Sequence, residues 1–152
     1  MSGSLVILYA TVSGNAEALA ELAAARLQAV LAIEVHNVAD FPVGRLGDFG
    51  TALIVASTWG EGAPPPEAVE FCTALHDHAT HRLPRLRYAV FALGSSNYTV
   101  FCGCGRRLDE DLAACGAQRL LPRVESDLKF KQAFEQWLDR LAAVLLPQGV
   151  QA

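Results

Sequence analysis

The chain has 152 residues, 52% of them hydrophobic, and 12 Lys plus Arg against 16 Asp plus Glu give it a net charge of -4. That length fits one domain able to bury about two-thirds of its unfolded surface and leaves no room for a second. The acidic balance argues against a nucleic-acid partner and allows a basic protein partner, while the start, MSGSLVILYA, lacks the basic n-region of a signal peptide and the length of a membrane span, so the expectation is a cytoplasmic protein with no membrane partner.

Residues 5–9, LVILY, form the near-continuous apolar run of a central parallel strand covered on both faces. The small and hydroxylated turn YATVSGNAE at 9–17 then opens an Ala-rich helical segment, 16–31, in which Leu19, Ala23, Leu27 and Val30 recur at helical spacing. In residues 32–38 the polar Glu34 and His36 alternate with Ile33 and Val35, which suits a strand at a sheet edge. Residues 39–50, with Pro42 and three glycines, are expected to be mostly loop. A third strand, 51–56, ends in the Gly/Pro-rich STWGEGAPPPE, and 65–78 is expected to be helical with Val69, Cys72 and Leu75 on its stripe.

The second half repeats the alternation. Strand 88–93 leads into the loop GSSNYTVFC and a helix whose stripe is Phe101, Cys104, Leu108, Leu112 and Cys115, stopped by Gly116. Residues 118–124 are a fifth strand, placed at an edge by Pro122, and helix 130–145 carries Phe130, Phe134, Trp137, Leu141 and Val144 on one face. Alternating strands and helices imply an α/β fold, a doubly wound five-stranded parallel sheet. Apolar strands one, three and four belong inside and polar strands two and five outside, which gives the order 2-1-3-4-5.

In that order the winding reverses between strands one and three, and ligands bind at the carboxyl ends of the strands there. Three loops meet at this point. In the first, Thr11, Ser13 and Asn15 offer side-chain donors, Gly14 lets the backbone approach closely, and the following helix aims free N–H groups and its positive dipole end at the same place, a phosphate site that needs no Lys or Arg. Taken alone the stretch also fits an ordinary N-capped helix, with Ser13 or Asn15 as cap. The other two loops each present one aromatic, Trp59 and Tyr98, between which a planar heteroaromatic ring gains about 1 kcal/mol per stacked pair beyond burial. A role in merely capping the core is the alternative, but neither residue lies on an apolar stripe.

These three loops resemble those of the flavodoxin family, and in particular a short-chain flavodoxin and the FMN-binding domain of diflavin reductases. Thr11, Val12, Ser13, Gly14, Asn15 and Ala16 are similar to the family's phosphate loop, Ser57, Thr58, Trp59 and Gly60 to its first flavin loop, and Leu93, Gly94, Asn97 and Tyr98 with Phe101, Cys102 and Gly103 to its second. The order 2-1-3-4-5 is flavodoxin's own. The likeness covers nearly the whole chain, and the direct step from strand five to the last helix is similar to the short-chain class. Ser57-Thr58-Trp59-Gly60 and Phe101-Cys102-Gly103 also resemble small bacterial MioC-type proteins, for which a role in supplying electrons to biotin synthesis would be implied.

The resemblance implies a single flavodoxin-like domain over 1–152 that binds FMN and shuttles single electrons between protein partners, a flavin reductase as donor and an electron-accepting enzyme. It also implies that the Gly60 carbonyl turns to meet the hydrogen that one-electron reduction places on flavin N5, and that Glu125 or Asp127 resembles an acidic position near the flavin side chain. Two departures stand out. Ala63 and three prolines follow Gly-Glu-Gly where many relatives have an acidic residue, which implies a weaker negative field, and Ala16 replaces a Thr hydroxyl donor, as in the diflavin reductases.

Other classes that share this architecture fit less well. A phospho-receiver needs a carboxylate ending strand one, where this chain has Ala10 and Thr11, and a low-molecular-weight phosphatase needs a Cys in the first loop. An FMN-dependent reductase of a small substrate such as a quinone, and a flavin-free interaction module, remain as alternatives. The four cysteines match no tetrahedral zinc spacing and are expected to be free thiols, with Cys104 and Cys115 as small core residues. His76 and His78 point to different helix faces, which disfavours zinc, and Arg82, Arg85 and Arg87 fit a solvated surface.

Overall fold

The computed structural model of the chain describes residues 4–11, 14–27, 32–57, 66–77, 82–94, 103–126 and 130–145. In chain order the elements are β1 (Ser4–Ala10), α1 (Asn15–Leu27), β2 (Ala32–Asn37), β3 (Thr51–Ala56), α2 (Val69–Leu75), β4 (Arg87–Leu93), α3 (Gly103–Ala114), β5 (Gln118–Arg119), β6 (Val124–Ser126) and α4 (Phe130–Leu145). All strand pairs are parallel, and the order is β2-β1-β3-β4-β5, as the alternation of apolar and polar strands implied.

Strand pleating sorts the side chains onto two faces. Leu5, Ile7, Leu53, Val55, Ala89 and Phe91 pack against α1 and α4, whereas Val6, Leu8, Ala52, Ile54, Tyr88 and Val90 pack against α2 and α3. The sheet is thus covered on both sides, which is why β1, β3 and β4 are apolar after their first residues, Ser4, Thr51 and Arg87. On α4, Phe134 and Trp137 close around Phe91, with ring centroids 4.9 and 5.4 Å away.

The fifth strand is not continuous. Six positions separate Gln118 from Val124 where four separate their β4 partners Arg87 and Phe91, so two residues bulge out and the strand splits into β5 and β6. Leu120 still donates to the Tyr88 carbonyl at 2.7 Å, but Pro122 has no N–H with which to carry the ladder on. Residues 39–50 are more ordered than a loop. They hold most of two 3-10 helices, Val38–Asp40 and Val43–Asp48, folded onto the sheet by the buried Phe41, Val43, Leu46 and Phe49. Arg45 lies over Phe41 and Phe49, 5.3 and 5.7 Å from their centroids, and pairs with Glu34 of the edge strand.

Two helix stripes also differ from expectation. Val69 is 48% exposed and Val144 45%; Phe71 on α2 and Leu138 on α4 occupy the core instead, beside Cys72, Leu75, Phe134, Trp137 and Leu141. The helical period was right but the angular centre of each stripe was misplaced. Helix α2 is shorter than expected, because Pro66–Ala68 form a separate 3-10 turn before it. No described helix is long and apolar enough to cross a membrane.

Candidate functional site

The register aligns the carboxyl ends of three adjacent strands. Ala10 of β1 lies opposite Ala56 of β3, and Ala56 opposite Ala92 of β4, so Thr11, Ser57 and Leu93 each follow one step later in neighbouring strands. At about 4.8 Å between strands, the stems of all three loops fall within roughly 10 Å. Ser57 N–H donates to the Ala10 carbonyl at 2.7 Å and ties the first two stems together.

The first loop is described at its two ends, Thr11 and Gly14. Thr11 Oγ1 accepts from the Gly14 N–H at 2.8 Å, Gly14 has φ +90, and the Gly14 carbonyl accepts from Ala18 N–H at 3.0 Å as α1 begins. A left-handed φ disfavours any residue with a Cβ, and among the described residues nothing lies within 4 Å of a Cβ built on Gly14. Asn15 is exposed on the first residue of α1, while Ala16 is fully buried and can contribute only its backbone N–H. The free N–H groups at the start of a 13-residue helix, next to the switch point of the sheet, are chemistry that suits a phosphate monoester. The Tyr9 phenol is pushed up in pKa by burial and then by the negative charge of Glu17 of α1.

At the other stems, Ser57 and Leu93 are buried, and Gly94 N–H donates to the Ser126 carbonyl of β6 at 2.9 Å. Val12, Ser13, Thr58, Trp59, Gly60, Asn97, Tyr98, Phe101, Cys102 and Asp127 lie outside the described residues. Glu125 is engaged: it accepts two bonds from Arg106 of α3, Nε to Oε2 at 2.8 Å and Nη2 to Oε1 at 2.9 Å, and a third from Arg123 Nε at 2.9 Å. The Arg106 hydrogen bond, with help from Arg123, holds the Glu125 carboxyl below its ordinary pKa.

Sequence reasoning missed the group next to it. Asp109 is only 1% exposed, yet it accepts from Tyr88 OH at 2.7 Å, from Arg119 Nε at 2.9 Å and from Arg123 Nη1, so its buried charge is compensated. Such a carboxylate leaves no mark in the sequence, because a helical Asp amid Arg and Glu looks like any solvated residue. Cys104 and Cys115 are fully buried, as expected of core residues; burial pushes the Cys115 thiol up, and a hydrogen bond from Cys104 lowers that of Cys72. His76 pairs through Nδ1 with Asp111 at 3.0 Å.

Comparison with known proteins agrees with this geometry. The family model described as Flavodoxin matches residues 7–137. The sulfite reductase [NADPH] flavoprotein alpha-component of Bacillus subtilis (strain 168) is 38% identical over 140 residues, which cover 91% of this chain and 23% of that protein. Its counterpart in Neisseria meningitidis serogroup A is 37% identical over 143 residues, 93% of this chain and 24% of that protein, so the chain spans about a quarter of these relatives. Among solved structures, oxidised flavodoxin 1 from Bacillus cereus superposes with a TM-score of 0.82 at 27% identity, covering 94% of this chain and 97% of that one. The sheet order, the phosphate-type turn at its switch point and a family match over most of the length agree, and the chain belongs to the flavodoxin family of FMN-binding electron-transfer proteins.

Proposed function

We propose that residues 1–152 act as one FMN-loaded cytoplasmic unit that shuttles single electrons from a flavin reductase to a redox enzyme, without a small substrate of its own. The observation that carries this reading is the row formed by Thr11, Ser57 and Leu93, which sets the stems of the three loops side by side at the carboxyl edge of the sheet. Thr11, Ser13, Asn15 and the backbone from Val12 to Ala16 hold the phosphate. Ser57, Thr58, Trp59 and Gly60 form one wall and Leu93, Gly94, Asn97, Tyr98, Phe101 and Cys102 the other, with Trp59 and Tyr98 against the ring faces. Asp127 is the acidic residue left for the flavin side chain, since Glu125 spends its charge on two arginines. Bound FMN supplies a centre that takes and gives electrons one at a time. The chain fixes its phosphate, screens its ring from water and offers the Gly60 carbonyl to the hydrogen on N5.

The 38% identity to a sulfite reductase [NADPH] flavoprotein component favours a second, narrower reading, in which the acceptor is a sulfite-reducing enzyme and the donor an NADPH-dependent flavoprotein. One experiment addresses both. FMN-loaded protein is mixed with NADPH, with and without an FAD-containing NADPH reductase, and cytochrome c or a sulfite-reducing enzyme serves as acceptor. A carrier passes electrons only when the reductase is present. Unaided oxidation of NADPH with reduction of a quinone would instead establish the reductase alternative, and a chain that retains no flavin would be the interaction module.

A further inference from the structure

The strand β6 is only three residues long, yet Gly94 and Arg106, which lie on either side of residues 95–102, are both tied to it. On the entry side, Leu93 pairs with Ser126, and the Gly94 N–H continues the ladder to the Ser126 carbonyl at 2.9 Å. On the exit side, Arg106 in the first turn of α3 reaches Glu125 with two parallel bonds of 2.8 and 2.9 Å, the fork geometry that fixes orientation as well as distance. Arg123 holds the same carboxylate from within the bulge and extends the tie to Asp109, one turn further along α3. The helix is also seated hard against the sheet here. A Cβ on Gly105 would come within 2.3 Å of the Ala92 Cβ, and Ala92 is the register partner of Glu125.

We infer that Arg106 and Glu125 are positioning residues for the flavin: their fork sets the exit of the second aromatic loop against β6, at the point where Gly94 sets its entry. This rests on the FMN-binding reading above. The Arg106 side chain is 42% exposed and that of Glu125 21%, and a pair so open to water adds little to folding as a whole. Its effect is local, on the span between Gly94 and Arg106. Glu125 therefore acts as the anchor of a loop, and not through its own charge on the flavin.

The test follows FMN release from the loaded full-length chain, through the rise of free-flavin fluorescence, in wild type, Arg106→Lys, Glu125→Gln and the double variant. Arg106→Lys keeps the charge and loses the fork, so it guards against a variant that fails to fold. Arg26→Gln, which breaks a surface pair between α1 and α4, is the control. Release is expected to quicken about two- to fivefold in each single variant, as loss of a partly exposed ion pair implies, and no further in the double variant, with an unchanged urea midpoint of the apoprotein and an unchanged control. Unchanged release in both single variants overturns the inference, and so does faster release matched by an equal fold-loss in the folding equilibrium. Wild type that retains no FMN overturns the functional reading with it, whereas tight wild-type binding with indifferent variants overturns the positioning role alone.

Discussion

Replacing Gly105 by Ala tests how closely α3 lies on the sheet. The added Cβ would stand 2.3 Å from the Ala92 Cβ and 3.1 Å from its Cα, where carbon atoms in good contact keep about 3.5–4.0 Å. Ala92 is fully buried in β4, a central strand paired on both edges, so the sheet cannot give way and the helix must retreat. Overpacking of this kind costs about 1–3 kcal/mol, and the better helix propensity of Ala returns about 1 kcal/mol. With the clash against a rigid strand placing the cost toward the top of its range, the net loss is about 1–2 kcal/mol, or a fall in Tm of roughly 2–8 °C for a chain of this size. Thermal unfolding by circular dichroism measures it directly. Gly44→Ala, where a Cβ meets nothing within 4 Å, serves as the control and should be neutral or slightly stabilising. A Gly105→Ala protein with Tm equal to or above wild type would refute the close seating of α3.

Three more predictions concern the site. Ser13→Ala removes one hydrogen bond to a dianion, and FMN affinity measured by fluorescence titration should fall about tenfold to a hundredfold. Trp59→Ala and Tyr98→Ala should each weaken FMN binding and relieve the quenching of its fluorescence; unchanged quenching in both would make the aromatics purely structural. The third is a pH effect on Glu125, which faces Arg106 from α3 and Arg123 from its own segment, with Asp109 beyond them. Arg106 first, then Arg123, holds its folded pKa below the ordinary 4.5, so its stabilisation is present above that value and is lost as pH falls through the lower, folded one. The excess rate of FMN release in Glu125→Gln over wild type should therefore be full near neutrality and shrink only below about pH 4.5.

Local signals made most of the fold legible. β3 and α4 begin and end where their apolar runs do, and Gly116, at φ +96, ends α3 as a left-handed stop. Periodicity fixed the pitch of α2 and α4 but not the centre of their buried faces, because Val69 and Val144 satisfy the same spacing as the residues that reach the core. The two 3-10 helices after β2 were hidden by Pro42 and two glycines, since only tertiary burial of Phe41, Leu46 and Phe49 organises them. At the candidate site, the step from β1 into α1 was legible because its signals are local. The engagement of Glu125 was not, because its partner Arg106 lies 19 residues away and is brought to it only when α3 folds back beside β6.

One-electron traffic at a flavin held by this chain is open to a stepwise reductive titration of the FMN-loaded protein. Two resolved one-electron steps are expected in wild type, together with a smaller separation of the two potentials in Gly60→Val, where a β-branched residue strains by about 1–3 kcal/mol the peptide that must turn its carbonyl toward N5. A single unresolved two-electron step in wild type, or the same separation in wild type and Gly60→Val, would contradict the account.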